Sequence, residues 1–192
     1  MRTAFTALPI VFAVMTPAMA QSDLDTETRA ARTLAGQLLQ PLGATLKAEL
    51  AASGPEGAIG VCKQVAPDIA GSLSRQTGSK VARVSLRTRN PMLGTPDAWE
   101  QVVLADFDRK AAAGEKPETL ERAEFVDEPA GRFLRYMKAI PVQPMCLACH
   151  GAVENIPDGV RQKLAQDYPK DRATGYAPGQ IRGAVSVKKS LD

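Results

Sequence analysis

One histidine, His150, directly follows a pair of cysteines in Cys146-Leu147-Ala148-Cys149-His150, and the chain has no other histidine. Two thiols three positions apart with an imidazole next to them form the haem-attachment pattern. The spacing follows from the chemistry. The thiols add to two vinyl groups of one macrocycle, so they must share one short turn, and the next residue is then held against one face of the iron. The expected cofactor is one covalently attached haem c per chain. Two other readings compete. A redox dithiol calls for a strand before the pair and a helix after it, yet Pro141-Val142-Gln143-Pro144 precedes it. Zinc would use Cys62, Cys146, Cys149 and His150 as a Cys₃His set. Adjacent Cys149 and His150 are awkward as two ligands of one tetrahedral ion, so haem is the better reading.

Residues 1–20 read as an export signal. Arg2 is the charged end, Phe5 to Met15 is apolar, and Ala18-Met19-Ala20 is a small-x-small cleavage site. The apolar run is too short to span a bilayer. The mature chain, 21–192, is expected to be one domain in the periplasm with no stable membrane span. Three cysteines in an exported chain leave one unpaired once two hold haem. A formal net charge of +3 spread without a basic cluster argues against nucleic acid as a partner.

With one histidine, two imidazoles cannot clasp the iron within one chain. Met92 and Met145 are candidates for the far face, although Met145 abuts the motif and is badly placed to reach round it. Cys62 is the other candidate, since thiolate is an established iron ligand. Ile59, Cys62, Ala66, Ile69 and Leu73 recur at steps of three and four, which places Cys62 on the apolar face of a helix. Pro55 opens that helix, and Pro67 is expected to end or kink it. A buried free cysteine is also an ordinary core residue, so pattern alone leaves both readings standing.

Several segments in order carry a resemblance over nearly the whole mature chain. They are Cys62-Lys63-Gln64-Val65-Ala66-Pro67-Asp68-Ile69-Ala70, Val84-Ser85-Leu86-Arg87-Thr88-Arg89-Asn90-Pro91, Pro96-Asp97-Ala98-Trp99-Glu100, Cys146 to Gly151, Tyr168 to Tyr176, and Gly179 to Val187. The chain resembles the Tll-type c-type haem domain family of single-haem proteins with a PAS-like fold. The resemblance implies His150 and Cys62 as the two axial ligands. Met92-Leu93-Gly94-Thr95 departs from the family pattern, lacking the asparagine expected after Asn90-Pro91. A Met92 ligand, or an exchange of Cys62 for Met92 on reduction, therefore stays open.

The element pattern agrees with an α+β fold: a long N-terminal helical region, then a mostly antiparallel PAS-like sheet. A helix is expected over Thr26 to Ala52, with Leu34, Leu38, Leu42, Leu46 and Leu50 as its stripe. Pro41 is expected to kink or split it. The stripe offers packing surface to the chain's own sheet or to a second copy, as in a homodimer. Gly78 is read as the end of the next helix, and Ala82, Val84 and Leu86 as one side of a strand. Thr95-Pro96 is read as a helix start, with Trp99, Val103 and Phe107 buried and Gly114 at the end. Glu121 to Asp127 and Arg132 to Ile140 read as a hairpin, and Ile181 to Lys188 as a last strand. Arg87, Arg89, Arg182, Tyr168 and Tyr176 are candidate donors to the haem propionates, because arginine is a two-pronged partner for a carboxylate.

Filled axial positions leave no site for substrate, and no acid–base pair stands beside the motif. A peroxidase-type enzyme is therefore the least favoured class. A redox or small-ligand sensor comes first, responding to a diatomic gas and passing its signal to a redox or signalling protein. A low-potential periplasmic electron carrier comes second, since thiolate ligation lowers the potential.

Overall fold

The computed structural model describes residues 17–191. The expected export signal at residues 1–20 falls largely outside the described residues. Helix α1 (Pro17–Gly60) runs through Pro41 without a break. The break comes instead at Gly54, whose φ of 67° and ψ of −174° leave helical geometry. Only glycine takes that backbone readily, and Pro55 restarts the helix behind it. A π-turn (Val61–Val65) leads into α2 (Ala66–Thr77), which Gly78 caps in the left-handed conformation. Pro67 therefore neither ends the helical segment nor splits it.

Strand β1 (Lys80–Val84) is followed by the short α3 (Pro91–Gly94) and by α4 (Ala98–Ala112). Leu86 lies beyond β1 and is 42% exposed, so the expected strand stops two residues early. Helix α4 begins at an Asp97 N-cap rather than at Thr95-Pro96. Asp97 accepts from Glu100 N–H and the Glu100 side chain accepts from Asp97 N–H, closing a capping box. Strands β2 (Glu121–Glu128) and β3 (Gly131–Pro141) form the hairpin, and α5 (Leu147–His150) and α6 (Asp158–Asp167) precede β4 (Ile181–Ser190). The four strands are antiparallel in the order β1-β4-β3-β2, so β2 is an outer edge. No described helix is long and apolar enough to cross a membrane.

The pleat sends alternate residues to opposite sides of the sheet. Val81, Leu134, Tyr136, Val185 and Val187 pack with Ala31, Ala35, Leu38 and Leu42 of α1 and with Ala66 and Leu73 of α2. Burying a side chain such as Leu38, fully enclosed, contributes roughly 1.5–3 kcal/mol. Arg32 pairs with Glu121, which also accepts from the buried Tyr136 hydroxyl at 2.9 Å, so α1 is tied to the hairpin. Val84, Met137, Ala139 and Ala184 point the other way and pack against Val103, Leu104 and Phe107 of α4.

An ionic pin holds α4 down. Arg135, 3% exposed, donates to Asp97 at 2.6 Å and to Glu128 at 2.7 Å, and its guanidinium lies 4.7 Å from the Trp99 ring centre. Buried Glu100 accepts from Ser186 Oγ at 2.6 Å. Lys188 and Arg135 hold the Glu128 carboxyl below its ordinary pKa. A depressed carboxylate stabilises the fold above its unfolded value and loses that contribution as pH falls through the folded one. The wild type is therefore expected to lose stability as pH drops below about 4. Arg135→Leu is expected to cost about 3 kcal/mol at pH 7, because it strands buried Glu100, and to flatten the acid limb. Urea melts at pH 7 and pH 3.5 measure both.

Candidate functional site

The cysteine pair sits on one tight helical turn. Residues Pro144–Cys146 form a 3₁₀ turn that runs directly into α5. Gly151 N–H closes it on Leu147 O at 2.9 Å. The turn is braced by residues 171–176. Tyr176 N–H donates to His150 O at 2.9 Å, and Gly175 N–H donates to Gly151 O. Tyr176 also meets the His150 ring edge-on, with centres 6.3 Å apart.

His150 Nδ1 lies 2.6 Å from Ala173 O. A carbonyl only accepts, so the proton is on Nδ1 and the lone pair is on Nε2. Burial, reinforced by Arg182 and Arg89, holds the imidazole well below its ordinary pKa, so it stays neutral and able to ligate. Asp171 Oδ1 accepts from Ala173 N–H at 2.7 Å, while Oδ2 accepts from Arg89 Nε at 3.0 Å. Arg89, 8% exposed, also donates to Cys149 O. One carboxylate thus ties the histidine's acceptor to the arginine that caps the cysteine turn, an outer shell of the kind that orients a metal-binding histidine.

Arg182 reaches the same place through a bulge. Ile140 pairs with Gly183 and Pro141 with Ile181, leaving Arg182 as the extra residue. Such a bulge re-aims a side chain. Arg182 Nε lies 3.4 Å from His150 Nε2, and its Nη1 donates to Ser85 Oγ at 3.0 Å and Arg87 O at 3.3 Å. Burial brings its pKa down to about 10, with Arg89 and Arg83 adding to the effect. Gly183 has a φ of 157°, and a Cβ there would lie 2.3 Å from Val84 O. Only glycine fits the bulge.

These residues open on a cavity of about 890 Å³ between α1, the Cys62 helix, β1 and the cysteine turn. Cys62, Cys146, Cys149, His150, Arg89, Arg182 and Tyr168 all line it. No disulfide joins any two of the three cysteines. Leu42, Leu46 and Leu50 form part of its apolar wall, so the leucine stripe divides its work between core and cavity. Lys47, Lys63, Arg83, Arg89 and Arg182 are among its lining residues, and no Asp or Glu is. Arg83 was not singled out in the sequence, although it shares a strand face with inward-facing Val81. Arg87 and Tyr176 stand outside this lining. The Arg87 guanidinium lies 4.2 Å from the Tyr176 ring centre, and both border a second cavity of about 640 Å³. Met92 is 91% exposed and does not reach the cavity; Met145 does. Among the described residues no three metal-binding side chains are grouped to hold an ion, so the Cys₃His zinc set is not assembled.

Arg89 and Lys63 are ion-paired with Asp171 and Asp167 behind the lining, and an apolar wall with further cations such as Arg83 and Arg182 and a neutral imidazole fits a flat apolar group that carries carboxylates. The class this defines is an α+β protein whose C-x-x-C-H turn closes one end of a cation-rich cavity. The chain belongs to the Tll0287-like family, whose profile matches residues 13–190. It is also similar to the crystal structure of the cyanobacterial haem protein Tll0287, with a TM-score of 0.58 and 26% identity over 93% of this chain and 98% of that one. No curated protein matches.

Gly183→Ala is expected to destabilise the protein by about 2 kcal/mol or more, because strand β1 cannot retreat from the added methyl without losing its pairing. A thermal melt beside wild type measures it.

Proposed function

We propose that the chain is an exported, periplasmic single-haem c-type protein that acts as a redox or small-ligand sensor. The observation that carries this reading is that Cys62 and the Cys146–His150 turn, from separate elements, line one cavity that is edged by Arg83 and Arg182 and, among the described residues, by no Asp or Glu. In this reading Cys146 and Cys149 would bond the haem as thioethers, and His150 Nε2 and Cys62 Sγ would hold its iron. Arg83, Arg89, Arg182 and Tyr168, which line the cavity, would be the donors to the propionates. A bound haem supplies a one-electron iron couple and, with an axial position free, a place for a diatomic ligand.

The residues then divide the work. The Ala173 carbonyl and Asp171 keep His150 in the ligating tautomer. A Cys62 ligand would add negative charge at the iron, which favours the ferric state and lowers the potential. Leu42, Leu46 and Leu50 exclude water from the apolar edge. The antiparallel sheet with its cavity under α1 and α2 supports a PAS-like sensor, with the signal passed to a partner protein. The lack of Asp and Glu in the lining favours a non-catalytic role.

A pyridine haemochrome spectrum with intact mass is expected to give one haem and two thioethers per chain, and a colourless protein at peptide mass sinks the reading. Cys62→Ala is expected to turn the ferric protein high-spin; an unchanged spectrum removes Cys62 as ligand. Carbon monoxide is expected to bind the ferrous form rapidly, whereas an iron inert in both states makes the protein an electron carrier instead. The Cys146→Ala, Cys149→Ala double variant is expected to melt about 5 °C lower or more, since a ligand held only by the folded state adds to stability.

A further inference from the structure

Pro67 stands one turn beyond Cys62, where an uninterrupted α-helix would reject it. Its ring would press on the carbonyl four residues back, that of Lys63, and its missing N–H would leave that carbonyl without a donor. The chain accommodates it by widening the preceding turn. Ala66 N–H donates to Val61 O, five residues back, across the π-turn Val61–Val65. The α-helix resumes at Ala66, so Pro67 falls in a first turn, where no donor is required.

The widened turn has a consequence for the helix face. Ala58, Cys62, Ala66 and Ala70 all line the cavity, each four residues from the next. Twelve residues of α-helix complete three turns and about 120° more, which would carry Ala70 well off the face that starts at Ala58. The residue inserted by a π-turn takes out about 100° of that drift. A nearly straight row of small side chains results, with Cys62 in it.

We propose that Pro67 is the positioning residue for Cys62: by enforcing the π-turn it keeps the thiol in line with Ala58, Ala66 and Ala70, facing the cavity. The inference rests on the reading of Cys62 as second iron ligand. Replacing Pro67 by alanine restores a donor for Lys63 O, lets Val61–Val65 relax to α-helix, and turns Cys62 by about 100° relative to Ala66 and Ala70.

The test uses the haem-loaded full chain. Cys146 and Cys149 are then thioethers, so Cys62 is the only thiol. Iodoacetamide uptake is followed by intact mass, beside the ferric absorption and paramagnetic resonance spectra. The wild type is expected to be low-spin and protected. Pro67→Ala is expected to lose the low-spin thiolate signature and to take up one alkyl group at least ten-fold faster. A Pro67→Ala protein with wild-type spectrum and protection, even at a lower melting temperature, overturns the proposal, since a merely structural proline would act that way. Deleting exposed Gln64 removes the inserted residue while keeping the proline. It is expected to give the same losses and decides the matter if Pro67→Ala does not fold; wild-type ligation after the deletion likewise overturns the proposal. Free alkylation of wild-type Cys62 together with an unchanged Cys62→Ala spectrum overturns the ligand reading itself, and the positioning role falls with it.

Discussion

The hydrogen bond from His150 Nδ1–H to the Ala173 carbonyl is the contact around which the site is arranged. It fixes which nitrogen carries the proton, and it sets the ring's angle by a backbone atom rather than a mobile side chain. Its partner is itself held, because Asp171 takes the Ala173 N–H and Arg89 holds Asp171. Arg89 then reaches back to the Cys149 carbonyl. Three segments remote in sequence thus close a ring of contacts, and displacing one loosens all three.

The sheet separates stability from function. Its α4 face is closed by apolar side chains and by the Arg135 pin, whose acids come from α4 and the hairpin. Its α1–α2 face begins as an ordinary core near Leu38 and opens into the cavity beyond Leu42. The bulge at Arg182 connects the two arrangements: one extra residue in β4 re-aims a guanidinium to the cavity side.

Much of this was legible in the residues. The hairpin, the last strand, the helix through Cys62 and the buried face of α4 follow from periodicity, which reports burial directly. The cysteine turn was legible because its spacing is specific, whereas periodicity placed Cys62 only on an inward helix face and the resemblance was needed to single it out. Other features depend on backbone events that composition does not mark. Pro41 is absorbed within α1 while Gly54 makes the break, and Pro67 widens a turn instead of ending a helix. Arg87 and Arg182 look alike as basic residues near strands, yet the bulge sends Arg182 to the cavity and Arg87 stacks on Tyr176. Arg83 needed the sheet's facing to be known before its place in the cavity lining could be read.

Strand β2 leaves a row of unpaired backbone groups at the sheet's outer edge. Such an edge invites strands from other molecules and seeds aggregates. Here the edge carries Glu121, Arg122, Glu124, Asp127 and Glu128, whose acids are held in ion pairs, and a strand crowded with charged side chains is a poor template for another. The hairpin can expose its flank to water without recruiting neighbours, and the sheet stops growing at four strands.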